Sequence, residues 1–272
     1  MVGPTAFPDL NAVLRELVGA ARLVLGENFC GAYLQGSFAT RFADIFSDVD
    51  FIVVTHEELS GEQEAGLQAM HRRIYMLETP WAQHLEGSYV PASRLRRMDW
   101  SRSPFLYLDN GSDRLVFDSH CNTAVVRWLL REHGLALAGP EPRTLIDPVS
   151  APDLQREAAA RVHEYAESAR ESTEAGPMSR WEQSYLVITF CRLLFTLSEG
   201  RVASKGEAAA WALETLDHDW HGLIRRAVED RPDPWERVYQ LAEPDLAQHT
   251  LQFGAYALKA AMRWATEQPD FE

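Results

Sequence analysis

Two aspartates separated by one valine, Asp48-Val49-Asp50, run directly into the apolar segment Phe51-Ile52-Val53-Val54, and a small-residue pair, Gly36-Ser37, lies eleven residues ahead of them. Side chains alternate between the two faces of a strand, so both carboxylates project to one side and Val49 to the other. Two hard oxygen ligands on one rigid face are what a Mg2+ ion carrying a nucleotide requires. Gly36-Ser37 follows the apolar run Ala32-Tyr33-Leu34, which puts it where a strand ends and a helix begins. Backbone N–H groups at such a junction suit a phosphate. A D-x-D pair alone is a weak signal, because acidic pairs at strand starts are usually solvated. The Gly-Ser turn ahead and the apolar strand behind strengthen it.

The elements that must position these residues can be read from periodicity. Leu10, Val13, Leu14, Leu17, Val18, Ala21 and Val24 make one apolar helical face, which Gly26-Glu27-Asn28 should end. Residues 60–77 read as a polar helix, with Ser60 and Gln63 spaced as a capping box. His84 to Pro91 alternates enough to be a strand stopped by Pro91, and Glu86 sits on it as a third carboxylate. Read by itself, Glu86 is a surface residue on an edge strand. Asp109-Asn110-Gly111-Ser112-Asp113 is a turn signal between two apolar runs and predicts a hairpin. A helix over 123–133 capped by Gly134 follows, and the cluster Arg94, Arg96 and Arg97 reads as solvated charge.

Asp147-Pro148-Val149-Ser150-Ala151-Pro152 is a proline-punctuated linker and marks a boundary between a domain over 1–150 and a second over 151–272. Beyond it come long helical periods, about 153–173, 179–199, 204–216, 220–229 and 244–266, the pattern of a helical bundle. The fold class expected is α+β: an N-terminal domain with a mixed sheet and flanking helices, then an all-α bundle.

At 272 residues the chain can bury a full core and divide into two domains. Hydrophobic content of 46% with 24% charged residues describes a globular chain. No apolar run approaches a membrane span, and the N-terminus lacks the basic start and apolar core of a signal peptide, so the expected compartment is the cytoplasm, with no membrane partner. Cys30, Cys121 and Cys191 are scattered, which excludes a disulfide framework or a zinc set. The net charge of −14 argues against nucleic acid and favours a cationic partner.

The signature Gly36-Ser37…Asp48-Val49-Asp50 resembles that of the nucleotidyltransferase superfamily, which includes antibiotic-modifying adenylyltransferases and polymerase-beta-like enzymes. The resemblance to the aminoglycoside (streptomycin/spectinomycin) adenylyltransferases extends through 129–146 and into the second domain. It implies ATP as co-substrate, Mg2+ as two ions held by Asp48, Asp50 and Glu86, and Glu86 as the base. It also implies that Gly36 and Ser37 cradle the phosphates. Gly200 to Trp211 resembles the segment in which a lysine contacts the nucleotide phosphates; the chain has only two lysines, Lys205 and Lys259. Ser204 would cap the helix that Lys205 opens.

The helix over 179–199 has an apolar side (Leu186, Phe190, Leu193, Leu194, Leu197) and a polar one (Glu182, Tyr185, Thr189, Arg192, Thr196). A polar stripe on a core-rich helix needs water, a ligand or a facing domain; with the resemblance, the expectation is an interdomain cleft. Arg192 is assigned to phosphate or to a carboxylate, and Glu182 and Tyr185 to the acceptor. In the streptomycin/spectinomycin enzymes aspartates before and at the start of this helix hold the cationic drug; here Met178 and Glu182 stand there, so the nucleotide half of the site is the better matched. The expected function is transfer of AMP from ATP to a hydroxyl of a small cationic acceptor, an aminoglycoside or related antibiotic; the sequence leaves the oligomeric state open, with a monomer favoured. The alternatives are the same chemistry on a protein side chain or metabolite, and a nucleotide-binding sensor without catalysis.

Overall fold

A computed structural model of the chain describes residues 3–40, 47–231 and 237–267. The chain divides into two compact units, Met1–Val149 and Ser150–Glu272. Part of the motif region, residues 41–46, lies outside the described residues.

The first unit opens with helix α1 (Pro8–Leu25), in which Leu10, Val13, Leu14, Leu17 and Ala21 are buried as the spacing predicts. Gly26 ends it at φ +55. Strand β1 (Phe29–Leu34) leads through Gln35 into the single-turn helix α2 (Gly36–Ala39), so the strand-to-helix junction lies where the sequence places it. Strand β2 (Val49–Thr55) follows, then helix α3 (Gly61–Tyr75), whose capping box forms in both directions between Ser60 and Gln63. Strand β3 (Leu85–Pro91), the short helix α4 (Ala92–Leu95) and the hairpin of β4 (Phe105–Leu108) and β5 (Leu115–Asp118) come next. Helix α5 (Ala124–His133), capped by Thr123, strand β6 (Leu135–Ala138) and helix α6 (Pro142–Leu145) complete the unit.

The six strands lie in the order β5-β4-β3-β2-β1-β6. β2 and β3 are parallel and the other pairs antiparallel, so the sheet is mixed. Alternation sorts its two faces. Val49, Phe51 and Val53, with Leu85 and Tyr89, pack against Leu10, Leu14 and Leu17 of α1 and Leu67, Met70 and Ile74 of α3. Ile52, Val54, Val90, Phe105 and Tyr107 pack on the opposite face against Leu130, Leu145 and Ile146. Fully burying each such Leu or Ile contributes about 1.5–3 kcal/mol, which pins the register, since a one-residue slip would send every side chain to the wrong face. Strand β6 is not anticipated from sequence: its Leu-Ala-Leu-Ala is short and poor in β-formers, and it is a strand because β1 offers an edge for it to pair with.

The second unit is all-helical: α7 (Ala151–Ala175), α8 (Arg180–Glu199), α9 (Lys205–Thr215), α10 (His221–Asp230) and α11 (Pro244–Glu267). α8 is its central rod, with Leu186, Val187, Phe190, Cys191 and Leu194 in a core shared with Val162, Ala208, Leu223 and Phe253. The observed fold is thus α+β with a mixed sheet and a C-terminal helical region. Among the described residues no helix is long and apolar enough to cross a membrane.

Two expectations change. Thr196 does not belong to the polar stripe of α8: it is buried, and its hydroxyl donates to the Arg192 carbonyl at 3.0 Å. The cluster Arg94, Arg96 and Arg97 is not simply solvated. Arg96 and Arg97 pair with Asp147 at 3.3 and 2.7 Å, and Arg94 lies over the Phe105 ring.

Candidate active site

The strand pairing brings two of the three carboxylates together. Asp50 and Glu86 are direct partners in the parallel register of β2 and β3. Asp48 lies just ahead of β2, on the same side of the chain as Asp50, because Val49 between them turns into the core. All three are half-buried. Gly36 closes on this edge: a Cβ built there would sit 2.0 Å from Asp50 Oδ2, and its φ is +59. Only glycine combines that backbone conformation with so close an approach. Ser37 follows it in α2, also half-buried.

Further side chains converge on these carboxylates that sequence reasoning did not mark. The Tyr107 hydroxyl donates toward Glu86 Oε1 at 2.8 Å and lies 3.1 Å from Asp109 Oδ1. His120 places Nε2 3.2 Å from the same Glu86 oxygen, with its ring stacked on that of Tyr107 at 5.2 Å. The Asn110 side-chain amide donates to Asp48 Oδ1, and its carbonyl oxygen lies 3.3 Å from His84 Nδ1. Asp109 and Asn110 read as a turn in sequence, and they are one; the same turn, at the end of β4, reaches back over the carboxylates. Alternation would have put Tyr107 on the Glu86 face had the register of β3 with β4 been known.

Negative charge dominates the electrostatics. Burial pushes the Tyr107 phenol far above its ordinary value, and the Glu86 and Asp109 carboxylates push it further. It stays a donor across the physiological range. Burial likewise raises the Cys121 thiol to about 12, with Glu86, Asp50 and Asp118 adding to the rise, so this cysteine is an inert neighbour of the site.

Whether these residues fit a metal can be judged from donor chemistry. Three carboxylates at the starts of the two central strands form the hard, anionic set that Mg2+ takes, and Mg2+ commonly needs only one or two protein carboxylates beside substrate phosphates. Among the described residues no three His, Cys, Asp or Glu side chains already stand as a metal-holding group. Asp48 and Glu86 are held instead by Asn110, Tyr107 and His120. The donor set fits, and among the described residues it is not a preformed cage.

The remaining candidates lie in the second unit. Glu182 is in the first turn of α8, its backbone N–H capped by Ser179 Oγ at 3.1 Å. One turn on, Tyr185 stacks on Trp181 with ring centroids 5.2 Å apart, and its hydroxyl meets that of Tyr165 at 3.0 Å. Burial and Tyr165 raise the Tyr185 phenol, against the opposing pull of Arg192 and Thr189. Arg192 is half-buried and directs Nε to the Ala203 carbonyl at 3.4 Å. Lys205 is exposed at the first position of α9, which Ser204 caps through the Glu207 N–H. Met178 is buried at 3% exposure in the helical core. Trp181 is the side chain that the stripe reading of α8 missed.

Comparison with known proteins places the chain among similar sequences and folds. Residues 144–251 match the family model described as the C-terminal domain of aminoglycoside adenylyltransferases. The chain is 22% identical over 238 residues to a spectinomycin 9-adenylyltransferase of Campylobacter jejuni, covering 83% of this chain and 88% of that protein. It is 25% identical over 240 residues to an aminoglycoside (3'') (9) adenylyltransferase of Shigella flexneri, covering 80% and 84%. In fold it resembles the crystal structure of a spectinomycin adenyltransferase from Enterococcus faecialis with ATP and spectinomycin, at a TM-score of 0.69 and 15% identity, over 91% of this chain and 98% of that one. Over most of its length the chain is thus similar to aminoglycoside and spectinomycin adenylyltransferases, and these similarities support an adenylyltransferase-like protein, an enzyme of the nucleotidyltransferase type.

Proposed function

We propose that the protein transfers AMP from ATP to a hydroxyl of a small cationic acceptor of the aminoglycoside or aminocyclitol class, with pyrophosphate leaving. The observation that carries this reading is the pairing of Asp50 with Glu86 on adjacent parallel strands, with Gly36 closed against Asp50. The relatives' names supply the acceptor class.

In this reading Asp48, Asp50 and Glu86 hold Mg2+, which when bound offsets charge on the triphosphate. Gly36 and Ser37 present backbone N–H groups to the phosphates. Glu86 takes the proton of the acceptor hydroxyl as the new O–P bond forms. Its charged neighbourhood favours a cationic acceptor over a neutral one. Lys205 is assigned to the nucleotide phosphates and Arg192 to phosphate or to a carboxylate. Glu182 supplies a carboxylate for an acceptor ammonium group, and Tyr185, stacked on Trp181, an aromatic platform with a hydroxyl at its edge.

One observation favours a second reading, in which the chemistry is the same and the acceptor is a metabolite or a protein side chain. Met178 stands where the resembling enzymes have a drug-binding aspartate, and it is packed in the core, so that position presents no carboxylate. One experiment tests both readings. Purified protein with labelled ATP and Mg2+ is offered streptomycin, spectinomycin, other aminoglycosides and lincosamides, and pyrophosphate is measured. Turnover with at least one of them is expected. Tight ATP binding with no turnover across the panel would sink the antibiotic reading and leave the second.

A further inference from the structure

The sheet face that carries Asp50 and Glu86 also carries a hydroxyl whose presence packing does not explain. Tyr107 is buried at 5% exposure among Ile52, Val54, Phe105 and Leu130, where a phenylalanine would fill the same space. A buried hydroxyl is costly unless it is bonded, and this one is directed at two carboxylates, Glu86 at 2.8 Å and Asp109 at 3.1 Å. Its ring is held by the stacked His120, which itself meets the same Glu86 oxygen.

We infer that Tyr107 is a positioning residue: its hydroxyl, held in place by the stacked His120 and the second contact to Asp109, orients the Glu86 carboxylate toward the acceptor. The inference rests on the reading of Glu86 as the base. A phenol has one proton to donate and here two acceptors within reach. While Glu86 is ionised the shorter contact is charge-assisted and holds the carboxylate in one orientation. The proton moves from the acceptor oxygen to Glu86, and Tyr107 keeps its own throughout.

The test is Tyr107→Phe, which removes the hydroxyl and keeps the ring and its stack, in the wild-type and Glu86→Gln backgrounds. AMP transfer is measured to the acceptor that turns over and, without acceptor, to water. The expected result is a fall in kcat of about tenfold, from loss of one hydrogen bond to a charged group, with KM for ATP within about twofold of wild type. In the Glu86→Gln background the same change should cost nothing further, since residues acting through one another are non-additive. A wild-type kcat, or an equal loss in both backgrounds, overturns the inference. Glu86→Gln at full rate would instead overturn the base reading itself, whatever Tyr107 does.

Discussion

Replacing Gly36 by alanine tests the junction on which the nucleotide reading turns. Its φ of +59 lies in the left-handed region, where an L side chain costs about 1–2 kcal/mol. The added Cβ would lie 2.0 Å from Asp50 Oδ2, against an ordinary contact distance of 3.4 Å or more, so the carboxylate must withdraw by about 1.4 Å. A displacement of about 1 Å at a reacting centre costs about 100-fold in rate, the equivalent of about 2.7 kcal/mol in the barrier. The variant should therefore lose about 1–2 kcal/mol of stability in urea unfolding, but about 100-fold in kcat/KM, with Mg·ATP affinity in titration calorimetry falling in parallel. Gly26→Ala is the control. Its φ of +55 with ψ −128 is also unfavourable for an L residue, but the space around its Cβ is open, so it should lose at least as much stability and keep activity within about twofold. If both variants lose similar stability and both keep full Mg·ATP affinity, Asp50 is not part of the nucleotide site.

Two more outcomes are expected. Burial depresses His71 from 6.5 to about 3, in the pocket where its Nε2 meets the Tyr89 hydroxyl at 2.7 Å. The unfolded chain therefore binds a proton that the native state refuses, and stability is complete above pH 6.5 and lost as pH falls below it. At pH 5.5 the loss is about 1.4 kcal/mol relative to pH 7.5, for any native value below about 4.5. Urea titrations at the two pH values should show this difference shrink by that amount in His71→Gln; an undiminished difference would refute the assignment. Lys205 is exposed at the head of α9, so Lys205→Ala should leave the urea midpoint unchanged while raising KM for ATP about tenfold, the loss of one charge-assisted phosphate contact. An unchanged KM would remove this lysine from the nucleotide site.

Much of the molecule was legible before folding because the relevant physics is local. The apolar spacing of α1, the Ser60–Gln63 capping box, the Ser204 cap and the Asp109–Gly111 turn each depend on residues within a few positions of one another. The two-face rule for strands put Asp48 and Asp50 on one side without knowledge of any partner strand. The character of residues 41–46, which link Gly36 to that pair, lies outside the described residues.

What the chain could not declare locally was which strands would become neighbours. β6 is a strand only because β1 has an open edge. Glu86 becomes Asp50's partner through the parallel register of β2 and β3, a choice made by the burial of Phe51, Val53, Leu85 and Tyr89 against α1 and α3. Tyr107 and Asn110 reach the carboxylates because β4 pairs beside β3, and Met178 is removed from any polar role by the bundle's core. The sequence by itself determined the carboxylate pair, the glycine turn and the type of most elements, since these follow from periodicity and capping over short distances. Only the tertiary structure decided which side chains surround the carboxylates, because strand register is set by the burial of residues far apart in the chain.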